Sequence, residues 1–248
     1  MLKYLIETVR GVYNYFSEEK NCAKHLWDTN EFFRELILYP ERYIFKSDKI
    51  ISFLKYLKNK KKFVFVCSNS MYDFLSVTMK YSFGENWIQF FDLVIFNAKK
   101  PCFFEHEQKF KIFDANHPLF SGKEVDKFSD NEKIYSNGSA KLLCKNIERN
   151  LNKTNPKVLF IGDSLFNDCY KCKVSHFDPL LIIPFYNYET KNEIENHIEY
   201  KKFWGNFLYD KESNGEIKKT LICKIIEENI PYVSRSIEDI EIDQNQLN

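Results

Sequence analysis

Two aspartates, Asp163 and Asp168, stand five residues apart in KVLFIGDSLFNDCYKCK, residues 157–173. An apolar run, VLFI at 158–161, delivers Gly162 and Asp163 at what reads as the C-terminal end of a strand, the edge where open α/β sheets place ligands. Gly162 permits a tight turn, and Asp168 can return a second carboxylate to the same small space. Two clustered carboxylates repel unless a cation neutralises them, and all-oxygen ligation suits Mg²⁺. An aspartate after a strand also serves as a helix N-cap, so the spacing alone leaves both readings open. Ser68 ends an earlier apolar run, FVFVC at 63–67. Its hydroxyl and the backbone amides that follow can hold a phosphate at a helix N-terminus, whereas the plainer role for Ser68 or Ser70 is a helix cap. Lys100 follows a third apolar run in NAKKPCFF, with Pro101 stiffening the exit. An ammonium there can neutralise phosphate charge; the ordinary alternative is a solvated lysine.

The elements that must position these residues alternate. Ser47 is placed as the N-cap of an amphipathic helix over DKIISFLKYLKNKKK, whose basic end complements its dipole. It leads into the strand at 63–67, which is read as buried, and then into a helix over YDFLSVTMKYSF. FFDLVIF at 90–96 is short and continuous, as in a parallel strand covered on both faces. VLFI at 158–161 and LLII at 180–183 are two further strands, with helices at 140–147 and 165–173 before and between them. The alternation predicts an α/β fold with a doubly wound, Rossmann-like parallel sheet. Residues 105–137 are polar and rich in turn formers, and read as an insertion forming a loop or hairpin. The opening is helical in pattern: an apolar face from Leu2 to Phe16, then a second helix around Phe32–Ile37 with Asp28 or Thr29 as its cap. A last helix is read over TLICKIIEENI, and the tail from Ile237 is expected to fray.

Composition narrows the classes. The chain has 248 residues, 44% of them hydrophobic, enough for a sizeable core. Thirty-six Lys and Arg against 35 Asp and Glu give a net charge of +1, which provides no field for nucleic acid or an anionic membrane. A small-molecule partner is the better default. Seven cysteines lack the framework of a small secreted domain and point to reduced thiols in the cytoplasm. Cys169 and Cys172 form one C-x-x-C, read as two core or helix-face cysteines because a structural zinc site needs a second pair. No signal peptide and no run of 18 or more apolar residues is found, so secretion and membrane spanning are not expected.

In chain order, strand-Ser, strand-Lys-Pro and strand-G-D-x-x-x-x-D resemble motifs two, three and four of the haloacid dehalogenase superfamily. Within it, PERYIFKSDKIISFLKYLKNKKKFVFVCSNS, FFDLVIFNAKKPCFF, IYSNGSAKLLCKNI and KVLFIGDSLFNDCYKCK are similar to the cytosolic 5′-nucleotidase subfamily, with purine 5′-nucleotidases and 5′-nucleotidase-domain-containing proteins among its members. The resemblance extends over roughly residues 39–240. It implies a Mg²⁺-dependent phosphatase working through an aspartyl-phosphate, with Ser68 and Asn69 on the phosphate, Lys100 steadying nucleophile and phosphate, and Asp163 and Asp168 holding the metal. It also implies nucleoside 5′-monophosphates or related phosphomonoesters as substrates, and a possible homo-oligomer.

One departure matters. Motif one is an apolar strand ending in D-x-D, and no D-x-D occurs in these 248 residues. The expectation is therefore a haloacid-dehalogenase-like sheet lacking its first strand, with residues 1–40 as the end of a helical cap, 41–190 as the α/β core and 191–248 as a family extension. The chain by itself is expected to be inactive, either as a truncated phosphohydrolase or as a non-catalytic interaction protein. A two-carboxylate receiver domain shares the sheet, Mg²⁺ and lysine, but is much shorter and carries its acidic pair after the first strand.

Overall fold

The computed structural model describes residues 31–114, 122–184, 208–211 and 215–240. The first expected helix, the caps proposed at Asp28 and Thr29 and most of the C-terminal tail lie outside the described residues. The chain divides into two compact units, residues 1–99 with 108–138 and residues 100–107 with 139–248. Both are mixed α/β.

In the first unit α1 (Glu31–Leu38) and α2 (Asp48–Asn59) precede β1 (Phe65–Cys67). The Ser47 hydroxyl caps α2 by accepting a 3.3 Å hydrogen bond from the Ile50 amide, as its type and position predict. After β1 come α3 (Tyr72–Phe83) and β2 (Leu93–Phe96). The hairpin strands β3 (Phe110–Ile112) and β4 (Glu124–Val125) follow, and then β5 (Ile134–Asn137). The sheet order is β1-β2-β5-β3-β4, with β1, β2 and β5 parallel and β3 antiparallel to both its neighbours. Every residue of β2 is buried, as a central parallel strand requires. Trp87, Val94 and Phe96, all 1% exposed or less, form the middle of this unit's core with Leu54 and Leu75.

Two expectations are corrected here. β1 is only half-buried, not buried, because it occupies the edge of its sheet. The stretch 105–137 does contain a hairpin, β3–β4, but its last residues are not part of a loop: β5 inserts between β2 and β3, and Tyr135 is completely buried.

The second unit begins with α4 (Cys102–Glu105), a single turn, and continues with α5 (Ala140–Leu151) and β6 (Leu159–Gly162). A π-helical turn, Leu165–Tyr170, occupies the start of the expected helix at 165–173. It is followed by β7 (Asp178–Ile182), β8 (Tyr209–Lys211), β9 (Ile217–Lys219), α6 (Leu221–Asn229) and β10 (Tyr232–Ser234). β10, β7 and β6 form a three-stranded parallel sheet, and β8 pairs with β9 as a ribbon. The mixed α/β architecture with parallel strands is compatible with the expected Rossmann-like fold, and the described strands form a five-stranded sheet, a three-stranded sheet and the ribbon. Cys169, Leu181, Leu208 and Ile226 belong to the core of this unit. Cys169 and Cys172 have no exposed surface, and burial pushes both thiols up to about 12, the behaviour of core cysteines. No described helix is long and apolar enough to cross a membrane.

Candidate active site

β6 ends at Gly162, and Asp163 follows it, exposed to solvent. The helix-cap role open to Asp163 from its sequence position belongs to Ser164, whose hydroxyl accepts a 3.2 Å hydrogen bond from the Asn167 amide. The chain then widens into the π turn, where the amides of Asp168 and Cys169 both donate to the Ser164 carbonyl, at 3.0 and 3.2 Å. This wide turn brings Asp168 back over the end of β6, where the Ser164 amide donates a 3.1 Å hydrogen bond to Asp168 Oδ2. Gly162 is the reason it fits. A Cβ there would stand 2.4 Å from Asp168 Cβ and 2.7 Å from Oδ2. Gly162 is not among the glycines with positive φ, so its role is close approach and not the tight turn expected of it.

Lys100 lies two residues before α4 and is joined to Pro101, the capping position of that helix, by a cis peptide. Its Nζ lies 2.6 Å from Asp168 Oδ1, and the two side chains are only 10% and 6% exposed. The ammonium also lies over the Phe160 ring, 5.4 Å from its centroid. Lys100 is therefore a buried, ion-paired lysine and not a solvated one. Asp168 Oδ1 makes this charge contact without a hydrogen bond of good geometry. A buried carboxylate oxygen so placed, with the exposed carboxylate of Asp163 carried on the same backbone turn, is a donor set of oxygens alone. It fits a hard cation such as Mg²⁺.

Ser68 and Asn69 belong to the other unit. Ser68 is half-buried directly after β1 and Asn69 is exposed. Neither Ser68 nor Ser70 caps α3: the capping position is Met71, with no side-chain bond, and the Ser68 hydroxyl instead accepts a 3.1 Å hydrogen bond from the Ser70 amide. Its backbone is fixed by Ser68 N–H to the Ile95 carbonyl at 2.8 Å and Ala98 N–H to the Ser68 carbonyl at 2.9 Å. Because β1, β2 and β5 are parallel and Phe96 pairs with Ser136, the carboxyl edge of this sheet carries Ser68, Ser136 and Asn137 together. Ser136 Oγ and Asn137 Oδ1 are buried without a hydrogen-bond partner among the described residues. Sequence reasoning passed over both, along with Ser164 and Phe160; the S-N-G-S run at 136–139 and the Ser after Gly162-Asp163 were the available signals.

The structure thus brings together Lys100 and Asp168, with Asp163 on the adjoining backbone, in one unit, and puts Ser68 and Asn69 on a polar carboxyl edge of the other. A groove of about 530 Å³ lined in part by Lys173, His176, Asp178, Glu227 and Pro231 includes none of them.

The sequence profile of the 5′ nucleotidase family matches residues 9–222. The chain belongs to the 5′ nucleotidase family. It is similar to 5′-nucleotidase domain-containing protein 1 of Bos taurus, 26% identical over 186 residues that cover 73% of this chain and 39% of that protein. The Homo sapiens protein of that name is also 26% identical over 186 residues, 38% of its length. 5′-nucleotidase domain-containing protein 2 of Homo sapiens is 31% identical over 139 residues, 55% of this chain and 25% of that protein. The chain therefore spans well under half the length of these relatives of the 5′ nucleotidase family.

Proposed function

We propose that this member of the 5′ nucleotidase family is a phosphohydrolase of nucleoside 5′-monophosphates or related phosphomonoesters, acting with Mg²⁺ held by Asp163 and Asp168. The observation that carries the reading is the buried Lys100–Asp168 pair at the end of β6. Burying both charges costs several kcal/mol per ion, of order, before their attraction offsets it, so a pair of this kind marks a functional constraint more readily than a stability device. When bound, Mg²⁺ supplies charge neutralisation for a phosphoryl group. Lys100 holds an ammonium against the metal-side carboxylate and is poised to share it with a phosphate oxygen. Ser68, Asn69 and the amides after β1 bind and orient the phosphoryl oxygens.

The reaction takes its attacking carboxylate from a D-x-D strand that these 248 residues do not contain. Among the described residues, both apolar strands ending at proposed site residues, β1 and β6, stand at the edges of their sheets, where a further parallel strand can add. In this reading the sheet is haloacid-dehalogenase-like, and the protein works in the cytoplasm.

The test is phosphate release from nucleoside monophosphates across a Mg²⁺ titration, for the chain alone and joined to a D-x-D segment. The chain alone should show no turnover above background, and the joined protein should be Mg²⁺-dependent. In the joined protein Lys100→Ala should lower turnover at every Mg²⁺ concentration, whereas Asp163→Asn should be partly rescued by more Mg²⁺. Turnover by the chain alone, or variants that titrate like the parent at its full rate, overturns the assignment.

A further inference from the structure

Two residues beyond Lys100 lies a cluster that the phosphate chemistry does not use. Cys102, Glu105 and His106 each offer one ligand atom, and these atoms lie within 4.8 Å of one another, the single such group among the described residues. Their convergence follows from one turn of helix. Cys102 and Glu105 are at i and i+3 and His106 is at i+4, so all three fall on one face of α4 and its cap.

The face is exposed, but the backbone behind it is fixed. Phe103 and Phe104, between the donors in sequence, are 2% and 5% exposed. The Phe104 ring meets Phe160 edge-on at 5.2 Å and Phe177 at 6.2 Å. Ser175 Oγ donates a 3.1 Å hydrogen bond to the Phe104 carbonyl, and the His106 amide donates to the Cys102 carbonyl at 2.9 Å. The turn is thus pinned by two aromatic anchors on its inner side, and only the exposed side chains need to move to close on an ion.

We propose that Cys102, Glu105 and His106 form a binding site for a borderline divalent cation, with Zn²⁺ as the fitting ion. The donor types decide the class. A thiolate and an imidazole select against Mg²⁺ and Ca²⁺, while sulfur, nitrogen and one carboxylate oxygen in tetrahedral array suit Zn²⁺, with a fourth position open to solvent. Zn²⁺ bonds of about 2.0–2.3 Å need donors roughly 3.5 Å apart in a tetrahedron, which exposed side chains held within 4.8 Å reach by small rotations. Lys171 Nζ sits 2.7 Å from Glu105 Oε1, so one oxygen of the carboxylate carries the ion pair while the group as a whole keeps a second oxygen as a donor. Cys102 is exposed and gives up its proton on binding. The site is independent of the phosphohydrolase reading.

The experiment uses the whole 248-residue chain with Co²⁺ as a spectroscopic probe, followed by displacement with Zn²⁺. The expected result is one equivalent of bound Co²⁺ with a thiolate-to-cobalt charge-transfer band, displaced by Zn²⁺ and unaffected by Mg²⁺. Cys102→Ser should abolish the band, and His106→Ala and Glu105→Gln should each weaken Zn²⁺ binding at least about tenfold. All three residues are exposed, so the variants should unfold at the temperature of the parent. Absence of the band, its survival in Cys102→Ser, or undiminished Zn²⁺ affinity in His106→Ala overturns the proposal.

Discussion

Replacing Lys100 with methionine leaves the Asp168 carboxylate, 6% exposed at its side chain, with the Ser164 amide and no counter-charge. Asp168→Asn does the converse, taking the carboxylate 2.6 Å from Nζ away from a lysine whose side chain is only 10% exposed. Breaking a buried pair from one side costs about 3–5 kcal/mol, because the remaining ion loses the partner that offset most of its desolvation. The double variant Lys100→Met/Asp168→Asn has no charge left to strand, so it should recover much of that loss, giving a coupling of about 3 kcal/mol. For a protein of this size each kcal/mol shifts the midpoint by about 2–4 °C, so each single variant should melt roughly 10 °C lower. The assay is urea unfolding of the four proteins at pH 7, with thermal melts as a second readout. Mg²⁺ should raise the midpoint of Lys100→Met more than that of the parent, since a cation then replaces the missing ammonium. Single losses under about 1 kcal/mol that simply add in the double variant would refute the argument, because they would mean that both charges remain hydrated.

Gly162→Ala should cost about 1–3 kcal/mol by overpacking, since its methyl would meet Asp168 Cβ at 2.4 Å, and a thermal melt should find it less stable than the parent; a melt equal to the parent would show that the close approach is dispensable. Iodoacetamide at pH 8 should alkylate exposed Cys102 well before Cys169 and Cys172, whose thiols burial pushes up to about 12, as peptide mass mapping of the native protein would record. Burial raises the Asp73 carboxyl above 3.8, so its charged form disfavours the folded state. That penalty is absent below pH 3.8 and grows as pH rises through the raised value, so the midpoint of Asp73→Asn relative to the parent should climb between pH 4 and 7; a difference that is flat or falls would contradict it.

Much of the framework was legible because it obeys local rules. Ser47 caps α2, β2 is a continuous buried run, and Tyr72–Phe83 is helical at its apolar spacing. β5 was hidden because its apolar pattern breaks off at its carboxyl end. Ile134 and Tyr135 are followed by Ser136 and Asn137, polar residues buried at the carboxyl edge, and the polar stretch before them reads as loop. β1 looked like an interior strand because five apolar residues carry no mark of sheet position. The Lys100–Asp168 contact was legible only as two separate candidates, since neither residue's neighbours reveal that the two charges share one buried space. The role of Gly162 was misread for a similar reason: a glycine after a strand signals backbone freedom, while the demand on it comes from a side chain six positions later.

The π turn at Leu165–Tyr170 makes this segment a length gauge. An ordinary α-helix advances about 100° per residue, so dropping one residue between Ser164 and Asp168 and tightening the turn would swing the carboxylate away from Gly162 and present a neighbour in its stead. Point substitutions at Phe166 or Asn167, both exposed, leave that count untouched. Insertions and deletions change it. A relative that had lost a single residue here would keep both aspartates in its sequence and lose the geometry that joins one of them to Lys100.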